Sequence, residues 1–202
     1  MGLDIRLFEA DGSRSVRCRW TLLEADIEYV TAPAGRKGAA RPELEKFHPL
    51  KMLPAAVIDG KPMIESAAIA TYIADLAPEK NLIGKSGTWA RALHDQWVSF
   101  ALTQMEAWLW SSARNRFVLP EEERVPAVFK QNGEAYQRAA AVVDKALADD
   151  DFLVENRFSV TDIIVGYTVN WGRRAELNDD LPNLGRYLER LWQRPHCTLS
   201  KD

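Results

Sequence analysis

The sequence carries little net charge and no long hydrophobic run. Over 202 residues the formal net charge is −3, which gives no electrostatic reason to expect nucleic acid or an anionic membrane as a partner. No segment approaches the roughly 20 apolar residues that a membrane-spanning helix needs. The start, Met1–Arg6, lacks the apolar core of a signal peptide. We therefore expect a soluble, cytoplasmic protein with no nucleic-acid or membrane partner.

Cysteine and histidine are also scarce. Cys18 and Cys197 lie near opposite ends of the chain and form neither a CxxC pair nor a zinc-ligand spacing. We interpret them as unpaired thiols in a reducing cytoplasm. His94 and His196 belong to no ligand pattern, so the sequence predicts no metal site and no nucleophile–histidine pair. Hydrophobic residues, in contrast, make up 47% of the chain, which is enough for a globular core.

Short strand and helix signals alternate before residue 80. Asp59-Gly60 lies between two apolar runs and predicts a β-hairpin. The order of elements is βαβ followed by αββα, which implies a small mixed sheet with helices packed on it. The predicted strands are Asp4–Ala10, Glu28–Thr31, Ala55–Ile58 and Pro62–Ile64, the predicted helices are Ser15–Ala25, Pro42–Phe47 and Ser66–Leu76, and Pro33–Arg41 is a predicted loop.

After residue 80 the strand signals disappear, and the rest of the chain is predicted to be all helical. Asn81–Gly87 has the composition of a linker. Pro126 is compatible with a helix only near its first turns. The predicted helices are Thr88–Ala113, Glu121–Asp149, Val160–Arg174 and Leu184–Gln193.

The third of these helices has a distinct start signal. Ser159 and Asp162 have the spacing of an N-terminal capping box, with Asp in place of the usual Glu or Gln. Phe158 and Ile163 occupy the positions of a hydrophobic staple. The helix that follows is too apolar for a surface helix, and a buried helix needs its free N–H groups satisfied locally. We interpret Ser159 and Asp162 as a structural cap rather than as catalytic residues.

A possible anion site follows the predicted hairpin. Glu65 and Ser66 fall at a helix start, where backbone N–H groups and the helix dipole attract a carboxylate. The alternative is that Ser66 is only an N-cap. Pro54 enters a strand and marks an edge or an unusual bend.

These segments resemble the signature of the glutathione-transferase superfamily. The resemblance extends over nearly the whole chain, and its four motifs occur in the family's order. It implies a thioredoxin-like α/β domain at residues 1–80 and an all-α helical domain at residues 88–202, the glutathione-transferase fold. The motifs are Met52–Ala55 with Asp59-Gly60, Ile64–Ile69, Phe158–Asp162, and Pro182–Leu184 through Arg194-Pro195.

The resemblance also implies binding roles for glutathione, the co-substrate. Pro54 would be a cis-proline, and Leu53 would pair its backbone with the cysteinyl part of the ligand like an added strand. Glu65 would bind the amino group of the γ-glutamyl end, and Ser66 its carboxylate. Lys51 stands where the family usually has Gly and could pair with the glycine carboxylate of glutathione or be solvated.

Two further departures concern the same loop and its strand. His48 replaces the family's usual Asn, and we interpret it as a loop or capping histidine. Ala56 replaces the common Leu.

The residue that activates the thiol is less clearly marked. In this family a Tyr, Ser or Cys after the first strand hydrogen-bonds the glutathione sulfur, and a lower thiol pKa raises the thiolate fraction. No Tyr is present in the corresponding stretch, and Cys18 lies inside the predicted helix. Ser13 is the first candidate and Ser15, which could instead be the helix N-cap, is the second. Gly12 aligns with the active serine of some classes.

Positive charge near this loop has two interpretations. Arg14 and Arg17 could add positive potential to the thiol site, or they could lie on the helix surface.

The expected function is a detoxifying glutathione transferase that conjugates the thiolate to a small apolar electrophile. Half or more of the aromatic residues near the first long helix should be core, and the rest should form the acceptor wall. The alternative is a transferase-like binding or interaction module without turnover. The resemblance implies a homodimer in which the amino-terminal domain of one chain contacts the helical domain of the other, and small residues in Ser66–Leu76 suit such an interface. The alternative is a monomer in which the surplus aromatic residues of the first long helix line the acceptor pocket alone. The candidate wall residues are Trp97, Met105, Trp108, Trp110 and Phe117.

Overall fold

The structure, a computed structural model, describes residues 3–33 and 42–201. The predicted loop Pro33–Arg41 lies mostly outside the described residues. The amino-terminal part alternates strands and helices, and the remainder is helical. The elements are β1 (Ile5–Glu9), α1 (Ser15–Ala25), β2 (Val30–Pro33), α2 (Pro42–Phe47), β3 (Ala55–Ile58), β4 (Lys61–Ile64), α3 (Ser66–Leu76), α4 (Trp89–Phe100), α5 (Ala107–Ala113), α6 (Val128–Ala146), α7 (Val160–Arg174) and α8 (Pro182–Trp192).

The four strands form one mixed sheet in the order β2-β1-β3-β4. β1 is parallel to β2 and antiparallel to β3, and β3 and β4 form the predicted hairpin. α1 and α3 pack against each other, and their buried residues share a core with inward-facing residues of β1 and β3. This arrangement is the predicted thioredoxin-like fold.

The first long helix contains two π-helical segments. α4 continues through the π-helical segment Ala101–Glu106 into α5, and a second π-helical segment, Arg114–Val118, follows. The extra residue per turn shifts the helix face at each segment, and such segments are frequent at functional sites. The sequence predicted one uninterrupted helix because periodicity over a long window does not resolve a single inserted residue.

Several predicted boundaries were wrong, among them the starts of the second strand and of the helix predicted from Glu121. The second strand begins at Val30 instead of Glu28. The helix predicted from Glu121 begins at Val128, after a short 3-10 turn at Glu121–Glu123. Pro126 lacks the backbone N–H that an α-helix interior requires, so the helix starts only after it.

The predicted capping box is present at the start of α7. Ser159 accepts from the N–H of Thr161, while the Asp162 carboxylate accepts from the N–H of Ser159 at 2.9 Å. The same carboxylate accepts from the Leu153 N–H and the Tyr187 hydroxyl. Burial raises the pKa of Asp162 to about 6, against the lowering effect of these hydrogen bonds. Asp162 therefore satisfies buried donors from three segments and has a structural role.

Candidate functional site

The sheet register brings the predicted site segments to one end of the sheet. Ala55, the first residue of β3, pairs with Phe8 of β1 on one side and with Ile64 of β4 on the other. The end of β1, the start of β3 and the end of β4 therefore lie side by side. The loop with Ser13, the Leu53-Pro54 pair and the Glu65-Ser66 pair extend from these three neighbouring strand ends.

The Leu53–Pro54 peptide bond is cis, as the resemblance implied. Pro54 is buried, and Leu53 is half-buried against a small cluster that includes Phe8 and Leu44. Within the part of the chain that the structure describes, the backbone N–H and C=O of Leu53 have no hydrogen-bond partner. These two groups are available to pair with an extended ligand.

The loop before Leu53 is held by His48 and Lys51. His48 is buried, and its Nδ1 accepts from the N–H of Leu50 at 3.1 Å. This contact lies within the loop and agrees with the interpretation of His48 as a loop or capping histidine. Lys51 has φ 55, a conformation that glycine adopts without strain. Its Nζ lies 2.6 Å from Glu45 Oε1, so the lysine forms an ion pair at the surface.

Glu65 and Ser66 start helix α3. Glu65 occupies the N-cap position with φ 71, and its side chain is exposed and makes no capping hydrogen bond. Ser66 is the first helical residue, so the alternative that Ser66 is the N-cap was wrong. Ser66 is 5% exposed, and its Oγ accepts a hydrogen bond from Arg17 Nη1 at 3.1 Å.

Arg17 is wholly buried, which rules out the helix-surface alternative for this residue. Besides Ser66, it donates to the carboxylate of Glu106, to the Thr168 hydroxyl at 2.8 Å and to the Ile164 carbonyl at 3.2 Å. Glu106 ends the first π-helical segment, and the other two partners belong to α7. Arg17 thus joins the amino-terminal part to the helical part.

Glu106 binds two arginines. Its carboxylate accepts from Arg17 and from Arg14 Nε, and also from the Thr168 hydroxyl at 2.9 Å. Burial by itself would raise the pKa of Glu106, but the charges of Arg17 and Arg14 lower it to about 2. Glu106 is therefore ionised throughout the neutral range.

Ser13 and Ser15 lie in direct contact. Their hydroxyl oxygens are 2.7 Å apart, and Ser13 Oγ donates to the carbonyl of Ala10. Ser13 is half-buried, whereas Ser15 is 0% exposed. Ser15 is the first residue of α1 with Arg14 in the N-cap position, so Ser15 does not fill the N-cap role considered for it.

Two indole rings lie close to Arg14, the residue that follows Ser13. The Arg14 guanidinium lies 4.8 Å from the ring centre of Trp110 and 5.3 Å from that of Trp171. The Arg17 guanidinium lies 4.7 Å from the ring centre of Tyr167, and the Tyr167 ring packs edge to face with Trp171. The sequence does not mark Trp171 and Tyr167 as site residues, because the signals in α7 indicate only a structural helix.

The remaining predicted wall residues do not reach this region. Met105 is wholly buried, and Trp97 and Trp108 pack against the hydrophobic core. Phe117 is 78% exposed. The core interpretation therefore holds for Met105, Trp97 and Trp108, and Trp110 is the member of the set that faces Arg14.

Other candidate chemistry has a structural explanation. His94 is buried between the hydroxyls of Thr71 and Thr161, at 3.1 and 2.9 Å, and burial lowers its pKa to about 4. Among residues 3–33 and 42–201, no group of three or more His, Cys, Asp or Glu side chains could hold a metal ion. In those same ranges no helix is long and apolar enough to cross a membrane.

Comparison with known proteins identifies the family. Residues 7–81 match the profile of the glutathione S-transferase N-terminal domain, and residues 102–195 match that of the C-terminal domain. The chain therefore belongs to the glutathione S-transferase family.

Individual relatives are similar at low identity. The chain is 24% identical to glutathione S-transferase GstA of Escherichia coli O157:H7 over 95% of this chain and 94% of that protein. It is 29% identical to elongation factor 1-gamma of Prunus avium over 87% of this chain and 43% of that protein, which is thus much longer. The solved structure of a sphingomonad glutathione S-transferase complexed with glutathione superposes with a TM-score of 0.82 at 24% identity, covering 95% of this chain and 94% of the other.

Proposed function

We propose that this protein is a glutathione transferase that conjugates the thiolate of glutathione to a small apolar electrophile. The observation that carries the proposal is the meeting of three segments at one sheet end: the Ser13 loop, the Leu53–Pro54 cis bond, and Glu65-Ser66. A relative of the same fold was solved complexed with glutathione, which supports this tripeptide as the ligand.

Each segment has a chemical role in the proposed complex. Leu53 offers its unpaired backbone N–H and C=O to the cysteinyl residue of glutathione. The exposed carboxylate of Glu65 binds the ammonium group of the γ-glutamyl end, and the Ser66 hydroxyl with its helix-start N–H binds the carboxylate. Lys51, in the loop before Leu53, would bind the glycine carboxylate in place of Glu45, with which it now pairs.

Ser13 is the proposed thiol-activating residue. Ser13 is half-buried, and its hydroxyl can rotate so that it donates to a sulfur atom instead of to the Ala10 carbonyl. The Ser15 hydroxyl donates to Ser13 Oγ. A hydrogen bond to the thiolate stabilises the charged form and lowers the thiol pKa. The thiol proton leaves to solvent, and the thiolate attacks the electrophile. Ser15, with no exposed surface, acts through Ser13.

The proposed acceptor site lies beside Arg14, whose guanidinium is 4.8 Å from the ring centre of Trp110 and 5.3 Å from that of Trp171. Two indole rings beside Arg14, the residue that follows Ser13, favour a flat, apolar electrophile. In the attack on an activated aryl halide, negative charge develops on the ring substituents, and the adjacent guanidinium stabilises it.

Turnover of 1-chloro-2,4-dinitrobenzene with glutathione tests the proposal. Chloride is displaced and the aryl thioether forms, which is followed by its absorbance. We expect saturable turnover in both substrates above the uncatalysed rate. Glutathione binding without turnover of this or of other apolar electrophiles would favour the second candidate.

The second candidate is a binding or interaction module with the same fold. Its support is the similarity to elongation factor 1-gamma and the absence of Tyr in the loop after β1. The Ser13 hydroxyl is also already bonded to Ala10. In that case the α/β part would keep its ligand or partner without activating a thiol.

A homodimer in the cytoplasm completes the proposal. A groove of about 460 Å³ runs between α3 and α4, with small residues such as Ala67 and Ala68 on one wall and Val98 on the other. Tyr72 and Trp89 are exposed nearby, at 39% and 77%. A second copy of the chain would cover this surface by twofold pairing, the commonest closed assembly. Cys18 and Cys197 are free thiols, which agrees with a reducing compartment.

A further inference from the structure

An ion cluster lies at the start of the loop that carries Ser13. Glu9, the last residue of β1, is 3% exposed, and its carboxylate accepts from Arg19 Nε at 2.6 Å and from the Thr31 hydroxyl at 2.8 Å. Arg19 Nη1 also donates to Asp11 Oδ1 at 2.7 Å. One guanidinium of α1 therefore holds two carboxylates, one at the end of β1 and one in the loop that follows.

The charge of Arg19 makes the buried position of Glu9 possible. An ionised carboxylate inside a protein is costly unless it is paired and hydrogen-bonded. Burial by itself would lower the pKa of Arg19, but hydrogen bonds to Asp11 and Glu9 raise it, so the guanidinium stays charged. Two carboxylates and one guanidinium give the cluster a net charge of −1.

The backbone between the two carboxylates contacts the proposed thiol-activating residue. Ala10 lies between Glu9 and Asp11, and its carbonyl accepts from Ser13 Oγ at 2.7 Å and from the Ser13 N–H at 3.3 Å. A sulfur atom bound to Ser13 Oγ would therefore lie next to the segment that carries both carboxylates. At such a range, charges at a protein surface still interact measurably.

Neighbouring titratable groups respond to the charge of Glu9. Burial raises the pKa of the Cys18 thiol, with Arg17 acting to lower it and Glu9 acting to raise it. Burial also raises the pKa of Tyr29, and there Glu9 adds to the increase while Arg19 opposes it. The charge of Arg19 thus offsets that of Glu9 at a neighbouring group.

A separate set of charges follows the loop. Arg14 and Arg17 share the carboxylate of Glu106. Burial would raise the pKa of Glu106, but Arg17 and Arg14 lower it to about 2, so this set is fully charged near neutral pH. Replacing Arg19 therefore changes the charge of the cluster at Glu9 and leaves that of the Glu106 set as it is.

We propose that Arg19 is a positioning residue for the thiol-activating loop and for the glutathione thiolate bound there. It holds Glu9 and Asp11 in one ion cluster and so offsets the negative charge of these carboxylates at the sulfur. This inference rests on the proposed function and adds to it a residue that lies outside the sequence motifs. An Arg19 with a structural role alone would stabilise the loop without affecting the acidity of the thiol.

The acidity of bound glutathione tests the inference. The thiolate is titrated by its ultraviolet absorbance in the wild-type protein and in two variants of Arg19. Arg19→Gln leaves the cluster with a charge of −2, so the pKa of the bound thiol should rise by about 0.5–1 unit. Its affinity for glutathione should stay within about threefold of wild type, and its pH–rate profile should shift by the same amount toward alkaline pH.

Arg19→Lys keeps the charge, so its bound thiol should stay within about 0.3 pKa unit of that in the wild-type protein. Arg6→Gln is the matched control, because it removes the same charge from an exposed ion pair with Glu43 on the same strand as Glu9. It should leave the pKa of the bound thiol unchanged.

An unchanged thiol pKa in Arg19→Gln would overturn the inference, as would an equal rise in Arg19→Lys, although glutathione binding itself would then stand. A wild-type protein that binds no glutathione would contradict the proposed function and with it this inference. If Arg19→Gln does not fold because Glu9 is left unpaired, the double variant Glu9→Gln/Arg19→Gln removes both charges and restores the net charge of −1. Its bound thiol should lie within about 0.3 pKa unit of wild type, and a rise of about 0.5 unit or more would refute the role of charge.

Discussion

Ala55 of β3 pairs with Ile64 of β4, and this register places Pro54 beside Glu65 at the end of the sheet. The cis bond before Pro54 and the positive φ of Glu65 both fall immediately outside the paired residues. A shift of one residue in this hairpin would move Leu53 away from Ser66 and reverse the faces of both strands. The hairpin register is therefore what assembles the proposed glutathione site.

The assignment of the thiol-activating residue predicts different effects for the two serines. Ser13→Ala should raise the pKa of bound glutathione and lower turnover while leaving affinity nearly unchanged, because the hydrogen bond to the thiolate is lost. The thiolate is measured by its ultraviolet absorbance as a function of pH. Ser15→Ala should have a smaller effect, since Ser15 reaches the sulfur only through Ser13. A larger effect of Ser15→Ala would mean that the loop register is wrong by two residues.

The proposed dimer interface predicts a change of mass on substitution of a small residue. Ala68 is exposed on α3 and lines the groove with α4. Light scattering at micromolar concentration should give twice 22.8 kDa for the wild-type protein. Ala68→Arg should lower the mass toward that of one chain by steric and charge effects. Ala107→Arg, at an exposed alanine of α5, is the control and should stay dimeric. A wild-type mass near 22.8 kDa would rule the dimer out.

His94 predicts a loss of stability in acid. Its pKa is about 4 in the folded protein, below the ordinary value of 6.5, so protons bind preferentially to the unfolded chain between these values. The contribution of His94 to the free energy of unfolding should be constant above pH 6.5 and should fall as the pH drops toward 4. The resulting loss of unfolding free energy between pH 7 and pH 4.5 is about 2 kcal/mol.

His94→Gln isolates this contribution from the other titrating groups. Asp162 acts in the opposite direction, since its raised pKa makes the folded state the stronger proton binder between about 3.8 and 6. Urea unfolding of the His94→Gln variant should therefore show less destabilisation on acidification than the wild-type protein. The exposed His196→Gln variant serves as the control. Parallel pH dependence of the His94→Gln variant and the wild-type protein would refute the assignment.

The N-caps of α4 and α7 predict unequal losses in the free energy of unfolding when they are removed. Ser159 caps α7 in a buried setting, whereas Thr88 caps α4 at the surface, where water can replace it. Ser159→Ala should lower the free energy of unfolding by about 1–2 kcal/mol and Thr88→Ala by about 0.5–1 kcal/mol. Urea unfolding at pH 7 measures both. Equal costs would indicate that burial of the α7 start does not matter.

Much of the fold could be predicted from local signals. α1 and α3 match their predicted bounds because apolar periodicity defines both helices and Pro78 terminates α3. The capping box was also predictable from the sequence, since Ser159 and Asp162 lie three residues apart. The start of α6 could not be placed, because Pro126 leaves several possible first turns.

The site was only partly predictable. Glu65 and Ser66 were found because a helix start and a family motif coincide. Arg17 could not be recognised as buried, since an arginine in an amphipathic helix is usually at the surface and its partner Glu106 is 89 residues away. Trp171 could not be predicted either, because it is distant from Arg14 in sequence and only the packing of α7 against α1 brings the two together.

Calorimetry with glutathione tests the central claim most directly. The wild-type protein should bind glutathione at one site per chain. Glu65→Ala removes a charge-assisted contact with the γ-glutamyl ammonium and should weaken binding by about 1.5–3 kcal/mol, which is roughly 10- to 150-fold. Glu79→Ala, at an exposed carboxylate beyond the other end of α3, should leave the affinity unchanged. An unchanged affinity in Glu65→Ala, or no binding to the wild-type protein, would contradict the account.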